Sequence, residues 1–192
     1  MPSFQERLTL LEDDLKATPV KISAYHDLPF TIFHYDPKIE FQARREIQLL
    51  ATRLGNIGKP VITISLAELL WKAIDENDDI GSLAQEEQEF GFERAQETVN
   101  KYLTDQVFTP LPDLLSDKLS TLDPKKNIAF LVRAAALAPS IYQISQLLGQ
   151  MQGKTRVPTV LFYPGSLEGS TGLRFMDMSD RTTMGSYRVK IY

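Results

Sequence analysis

Apolar residues recur along the chain with two different periods, and each change of period marks a predicted element. Near the start, Phe4, Leu8, Leu11 and Leu15 recur at helical spacing. This spacing predicts an N-terminal amphipathic helix over about residues 4–16.

Short apolar runs bounded by proline and glycine predict strands that alternate with helices. The runs are Phe30–Tyr35, Val61–Ile64, Ile128–Val132 and Val157–Tyr163. The run Ile128–Val132 is apolar without alternation, which is typical of a strand covered by helices on both faces. An apolar stripe over Ile39–Leu54 predicts a helix between the first two strands.

The order of these elements predicts a single α/β domain over residues 1–192, with a mostly parallel sheet flanked by helices. Leu173–Met176 and Tyr187–Ile191 alternate apolar and polar residues, as half-exposed or edge strands do. We expect these two strands to form an antiparallel C-terminal β extension. A helical insertion is expected over about residues 83–122, between the second and third strands.

The first part of this insertion is predicted to be one long helix over about residues 83–103, with Phe90 facing inward. Acidic residues crowd its beginning and the segment before it: Asp75, Glu76, Asp78, Asp79, Glu86, Glu87 and Glu89. This acidic surface suits docking to another protein. A solvated face that keeps the protein soluble is the alternative interpretation.

Composition narrows the class of protein. The net charge of −4 argues against a protein whose overall charge would attract polyanions such as nucleic acid. Because the chain has no cysteine, disulfides, thiolate metal sites and cysteine nucleophiles are excluded, and a reducing compartment is favoured. The N-terminus lacks the pattern of a signal peptide, and no run approaches the roughly 20 apolar residues that span a bilayer. We therefore expect a cytoplasmic protein without a membrane segment.

No motif in the chain predicts catalysis. Gly149–Thr155 resembles a phosphate-binding loop, but it has three residues between its glycines instead of four and follows a predicted helix. We interpret it as a helix C-cap and turn. His26 and His34 lack the spacing of a metal site, and no GxSxG nucleophile elbow is present. We expect no catalytic residue, no metal ligand and no cofactor, and therefore not an enzyme.

Seven residues, some following predicted strands and some within the last two, form a candidate partner or ligand surface. They are Arg133, Gly165, Gly169, Gly172, Arg174, Arg188 and Lys190. Arg133 stands where an arginine can clamp a carboxylate or phosphate, or else form a structural ion pair. The glycines either let backbone approach a nucleotide or simply connect two strands. If the last two strands pair, the basic residues share one face, which gives nucleic-acid binding as the alternative function.

Several stretches, taken in order, carry a resemblance to a known family. They are Leu28–Tyr35, Arg44–Leu54, Ile64–Trp71, Phe130–Pro139, Val157–Gly165, Gly172–Phe175 and Tyr187–Tyr192. With these stretches the chain resembles the BrxB family of bacteriophage-exclusion (BREX) systems, which restrict phage while a companion methyltransferase marks host DNA. The resemblance implies an accessory subunit that binds another BREX protein, with the phosphatase-superfamily member PglZ as the favoured partner. It transfers no catalytic residue.

Overall fold

The computed structural model of the chain describes residues 2–23, 28–138, 141–169, 172–178 and 189–192. The helices are α1 Phe4–Lys16, α2 Glu40–Asn56, α3 Leu66–Asn77, α4 Ile80–Phe90, α5 Phe92–Thr104, α6 Leu111–Ser120 and α7 Ile144–Gln150. The strands are β1 Phe30–Tyr35, β2 Val61–Ser65, β3 Ile128–Val132, β4 Thr159–Glu168, β5 Gly172–Phe175 and β6 Lys190–Ile191. Short 3-10 helices cover Pro37–Ile39 and Ala134–Leu137.

The sheet is a row of parallel strands in the order β2-β3-β4-β1-β6. The chain leaves β1 for the far edge at β2 and returns through β3 and β4. Right-handed crossovers therefore place α2 on one face of the sheet and the helices of the return path on the other. This arrangement confirms the predicted α/β fold with a mostly parallel sheet.

The last two strands do not pair with each other, so the condition under which their basic residues would share one face is not met. β5 lies antiparallel to β4, with Gly165 opposite Phe175. β6 lies parallel to β1, with Thr31 opposite Lys190. The reason is that β4 runs past the end of β1 and gives β5 a partner at once, while the free edge of β1 takes β6. Tyr187, where the last strand was predicted to begin, lies outside the described residues.

One face of the sheet is covered by α1 and α2. Its core contains the rings of Phe33, Phe130 and Phe162, and the Phe130–Phe162 and Phe33–Phe162 centroids lie 5.0 and 5.8 Å apart. Offset and edge-on contacts of this kind stabilise a core beyond simple burial. Successive side chains of each strand point to opposite faces of the sheet. One set fills this core, and the other set fills a second core between the sheet and α3, α5, α6 and α7.

The helix predicted over residues 83–103 is two helices, α4 and α5, joined at Gly91. Gly91 has a φ of 90°, which a residue with a side chain adopts only under strain, so the chain turns sharply there. Leu83, Ala95 and Tyr102 face inward as predicted, but Phe90 is 65% exposed. Apolar residues recur at helical spacing on both sides of Gly91. The turn at the glycine changes the direction of the chain, so the apolar stripe of α4 does not continue into α5.

Candidate functional site

The carboxyl ends of β1 and β4 lie side by side in the sheet. From β1 the chain crosses in one direction to β2, and through β3 it comes back in the other direction to β4. Ligands of open α/β sheets bind outside the carboxyl ends of strands near such points. His34 stands there, and its Nδ1 lies 3.2 Å from the carbonyl oxygen of Gly165. Because a carbonyl only accepts, Nδ1 carries the proton and Nε2 is left as an acceptor.

Arg7 of α1 closes one side of this region. Its Nη1 donates to the carbonyls of His34 and Tyr192, at 2.7 and 2.8 Å, and its guanidinium lies 5.1 Å from the ring centroid of Phe33. Burial, reinforced by the charge of Arg7, lowers the pKa of His34 against the opposing effect of the Gly165 carbonyl. The imidazole is therefore neutral near pH 7.

A groove of about 430 Å³ runs from His34 along α1 and β6. Leu10, Leu167 and Ile191 make most of its wall apolar. Asp14 pairs with Lys190 in the same groove. Among the described residues, no hydroxyl or carboxylate forms a hydrogen bond with the His34 ring.

The glycine segment after β4 is a β-hairpin. Gly165 has a φ of 153°, and a Cβ there would lie 2.1 Å from the carbonyl oxygen of Arg174. Glycine is therefore required by the passage of β5 across β4. Gly169 takes a φ of 64° at the turn, and Gly172 begins β5. The sequence predicted that this strand would end at Tyr163, but it continues through Pro164 to Glu168.

The basic residues of the candidate surface are held apart. Arg174 pairs with Glu168 across the hairpin, and Lys190 pairs with Asp14 of α1. Because β5 and β6 are not neighbours, Arg174 and Lys190 do not share one strand face. Arg188 lies outside the described residues. Within the described part of the chain, the two cations are thus partly neutralised and form no stripe that would follow a phosphate backbone.

Arg133 differs from these residues because its exposed side chain has no hydrogen bond or ion pair with any other described residue. Its backbone is left-handed, with φ 59° and ψ 36°, immediately after β3. This conformation costs an ordinary residue roughly 1–2 kcal/mol. Ala134, which follows, is buried, and the Arg133 guanidinium is exposed at the carboxyl end of β3.

Sequence reasoning missed the most exposed aromatic pair near the acidic segment. Phe90 and Phe92 flank Gly91 at the tip of the α4–α5 hairpin and are 65% and 56% exposed. Exposed carboxylates surround them, from Glu87, Glu89 and Glu93. The signal in the sequence was a glycine between two phenylalanines inside a helical pattern, which is a typical helix end.

The hairpin is held firmly below this tip. Glu86 of α4 accepts a hydrogen bond from the hydroxyl of Thr98 at 3.0 Å and pairs with Arg94 at 3.2 Å, both on α5. At the base, the Tyr102 hydroxyl donates to Asp78 at 3.0 Å, and burial raises the pKa of Tyr102 to about 12. The tip is therefore presented on a braced pair of helices.

Two further findings on the described residues concern metal ions and membranes. In the part of the chain that the structure describes, no three His, Cys, Asp or Glu side chains stand together as a group able to hold a metal ion. No helix in the same ranges has the length and apolar content that crossing a membrane requires.

Comparison with known proteins identifies the family. Residues 62–190 match the family model described as BREX protein BrxB. A curated relative, the BREX protein BrxB of Bacillus cereus (strain H3081.97), is 26% identical over 156 residues, which cover 81% of this chain and 80% of the relative. No solved structure matches the chain. The chain belongs to the BrxB family of BREX proteins.

Proposed function

We propose that this chain is a non-catalytic assembly component of a BREX phage-defence complex, and that it binds another subunit through the tip of the α4–α5 hairpin. A PglZ-family protein is the favoured partner. The observation that carries the proposal is the pair of exposed rings at this tip, Phe90 and Phe92, beside the exposed carboxylates of Glu87, Glu89 and Glu93.

Exposed aromatic side chains are typical anchors of protein interfaces, since each ring brings a large area and loses little conformational freedom. Glu87, Glu89 and Glu93 add exposed carboxylates to the tip, and the neighbouring Arg94 is paired with Glu86 and Glu97. A complementary partner would offer an apolar pocket with a basic rim. Bracing by Glu86 and Tyr102 reduces the ordering that binding requires, which favours a stable contact.

Support for a non-catalytic role comes from the strand ends. The β4–β5 hairpin lies at the carboxyl ends of the strands, and Gly165 is used there for close strand contact. The neutral His34 has its Nδ1 bound to a carbonyl, and no second titratable side chain among the described residues activates it.

The test is co-purification from cells that express the whole operon with this chain tagged. The double variant Phe90→Ala, Phe92→Ala should bind a PglZ-family subunit about tenfold or more weakly. It should therefore recover less of that subunit than the unchanged chain does. Phe41→Ala is the matched control, because Phe41 is 84% exposed on α2, across the sheet from the hairpin. Its recovery should equal that of the unchanged chain. Undiminished recovery by the double variant would exclude the hairpin tip as the docking site.

A further inference from the structure

We infer that a second copy of this chain adds to the sheet at β2, with the two β2 strands antiparallel about a twofold axis. β2 is the outer strand of the row, and β3 is its partner on the inner side. An unpaired strand edge is a template for another strand, and a closed dimer removes it.

The outward edge of β2 has main-chain groups with no hydrogen-bond partner among the described residues. The N–H of Ile128 donates to the Pro60 carbonyl at 3.1 Å. Because every second residue of a strand directs its N–H and C=O to the same neighbouring strand, those of Ile62 also point towards β3. The N–H and C=O groups of Val61 and Thr63 therefore face outward. In an antiparallel pair centred on Thr63, the two strands would exchange up to about six hydrogen bonds.

Side chains beside this edge leave a groove that a second copy would fill. The groove has a volume of about 450 Å³ and lies between β2, α3 and α6. Ile62 is 38% exposed on the same strand face as the buried Ile64. With Thr63 at the twofold axis, Ile62 of each copy stands opposite Ile64 of the other. Such β-branched pairs stabilise neighbouring strands.

Charges on α3 favour a second copy over an unrelated strand. Glu68 and Lys72 are exposed on α3, four residues apart, and both line the groove. Around the twofold axis the two α3 helices run antiparallel, so Glu68 of each copy faces Lys72 of the other. Lys72 lies 3.4 Å from Glu76 in an exposed ion pair. Such a pair contributes little to stability, so Lys72 can leave it to pair with Glu68 of the second copy.

Cysteine cross-linking tests the strand register directly. Because the chain has no cysteine, Thr63→Cys introduces a single thiol at the proposed axis. Directly opposite residues of an antiparallel pair have Cβ atoms about 4.5–5.5 Å apart, close enough for a disulfide after small adjustment. Mild oxidation of dilute protein should give a covalent dimer. The exposed Thr52→Cys on α2 is the matched control and should remain monomeric; equal cross-linking of both variants would overturn the proposal.

Sedimentation of the cysteine-free chain tests the dimer and its charges. Thr63→Pro removes the central outward N–H and should raise the dimer dissociation constant about tenfold. Glu68→Lys should weaken the dimer about threefold or more, and adding Lys72→Glu should restore it. A monomer at every concentration, or no rescue by the double exchange, would refute the inference. Phe90→Ala with Phe92→Ala should leave the dimer unchanged, which separates this surface from the proposed docking site.

Discussion

At the residue scale, Gly165 shows how a side chain can be excluded by main chain alone. A Cβ at Gly165 would stand 2.1 Å from the Arg174 carbonyl oxygen, and backbone cannot move as a flexible side chain does. We expect Gly165→Ala to lower the free energy of unfolding by about 2–4 kcal/mol. Urea denaturation measures this loss.

Gly55 is the matched control for that substitution. It lies in α2, and a Cβ there would meet nothing within 4 Å. Gly55→Ala should therefore stabilise the protein by about 0.5–1 kcal/mol, because alanine is the better helix former. Equal effects of the two substitutions would contradict the steric account of Gly165.

His34 gives a prediction about pH. Its pKa in the folded chain is lowered, chiefly by burial, whereas an unfolded histidine titrates near about 6.5. Below that pH the unfolded chain binds more protons, so stability should fall as the pH falls from about 7.5 to 5.5. His34→Asn, whose amide can still donate to the Gly165 carbonyl, should show a smaller fall. Identical pH dependence of urea midpoints in both proteins would show that His34 does not contribute.

At the element scale, α1 is held at its end by a residue distant in the sequence. The Lys59 ammonium donates to the carbonyls of Leu15, Lys16 and Ala17, at 2.8, 2.9 and 2.6 Å. These are carbonyls that the last turn of a helix cannot satisfy itself. Lys59→Met should therefore lower the free energy of unfolding by about 1–2 kcal/mol.

Thermal unfolding measured beside Lys125→Met tests this cap, because the Lys125 side chain forms no hydrogen bond or ion pair with other described residues. The control should unfold at the temperature of the unchanged chain. A loss of the same size in both variants would mean that charge in general, and not the capping of α1, stabilises the protein.

The elements that the sequence predicted best are those with local signals. β1 occupies Phe30–Tyr35 as predicted. Gly149–Thr155 begins at the end of α7 and turns at Gly153, as the C-cap interpretation required. The pairing of β6 with β1 joins Thr31 to Lys190, 159 residues apart, and no local pattern reports such a register.

At the scale of the whole molecule, protection should decrease from the middle of the sheet outward. β1 has neighbours on both sides, and Phe30, Ile32 and Phe33 have no exposed surface. We expect amides of β1 and of the paired part of β4 to exchange hydrogen slowest, and those at the α4–α5 tip far sooner. Exchange followed by mass spectrometry measures this order. A tip as protected as β1 would contradict it.

The candidate surface was the least predictable part of the molecule. Alternation along the chain could not show that Arg174 pairs with Glu168 across the β4–β5 hairpin, or that Lys190 pairs with Asp14 of α1, which lies 176 residues away. Phe90 was assigned to the core because helical periodicity counts apolar positions and cannot show which neighbouring helix is present to cover them.

The contacts of α1 also set an order of events during synthesis. Arg7 binds the carbonyl of Tyr192, and Asp14 pairs with Lys190, so the first helix completes its packing only after the last strand has been made. At roughly 5–20 residues per second, ribosomes need on the order of ten seconds or more to translate the intervening segment. During that interval the apolar stripe of α1 lacks part of its final cover, and a nascent-chain chaperone would find it accessible.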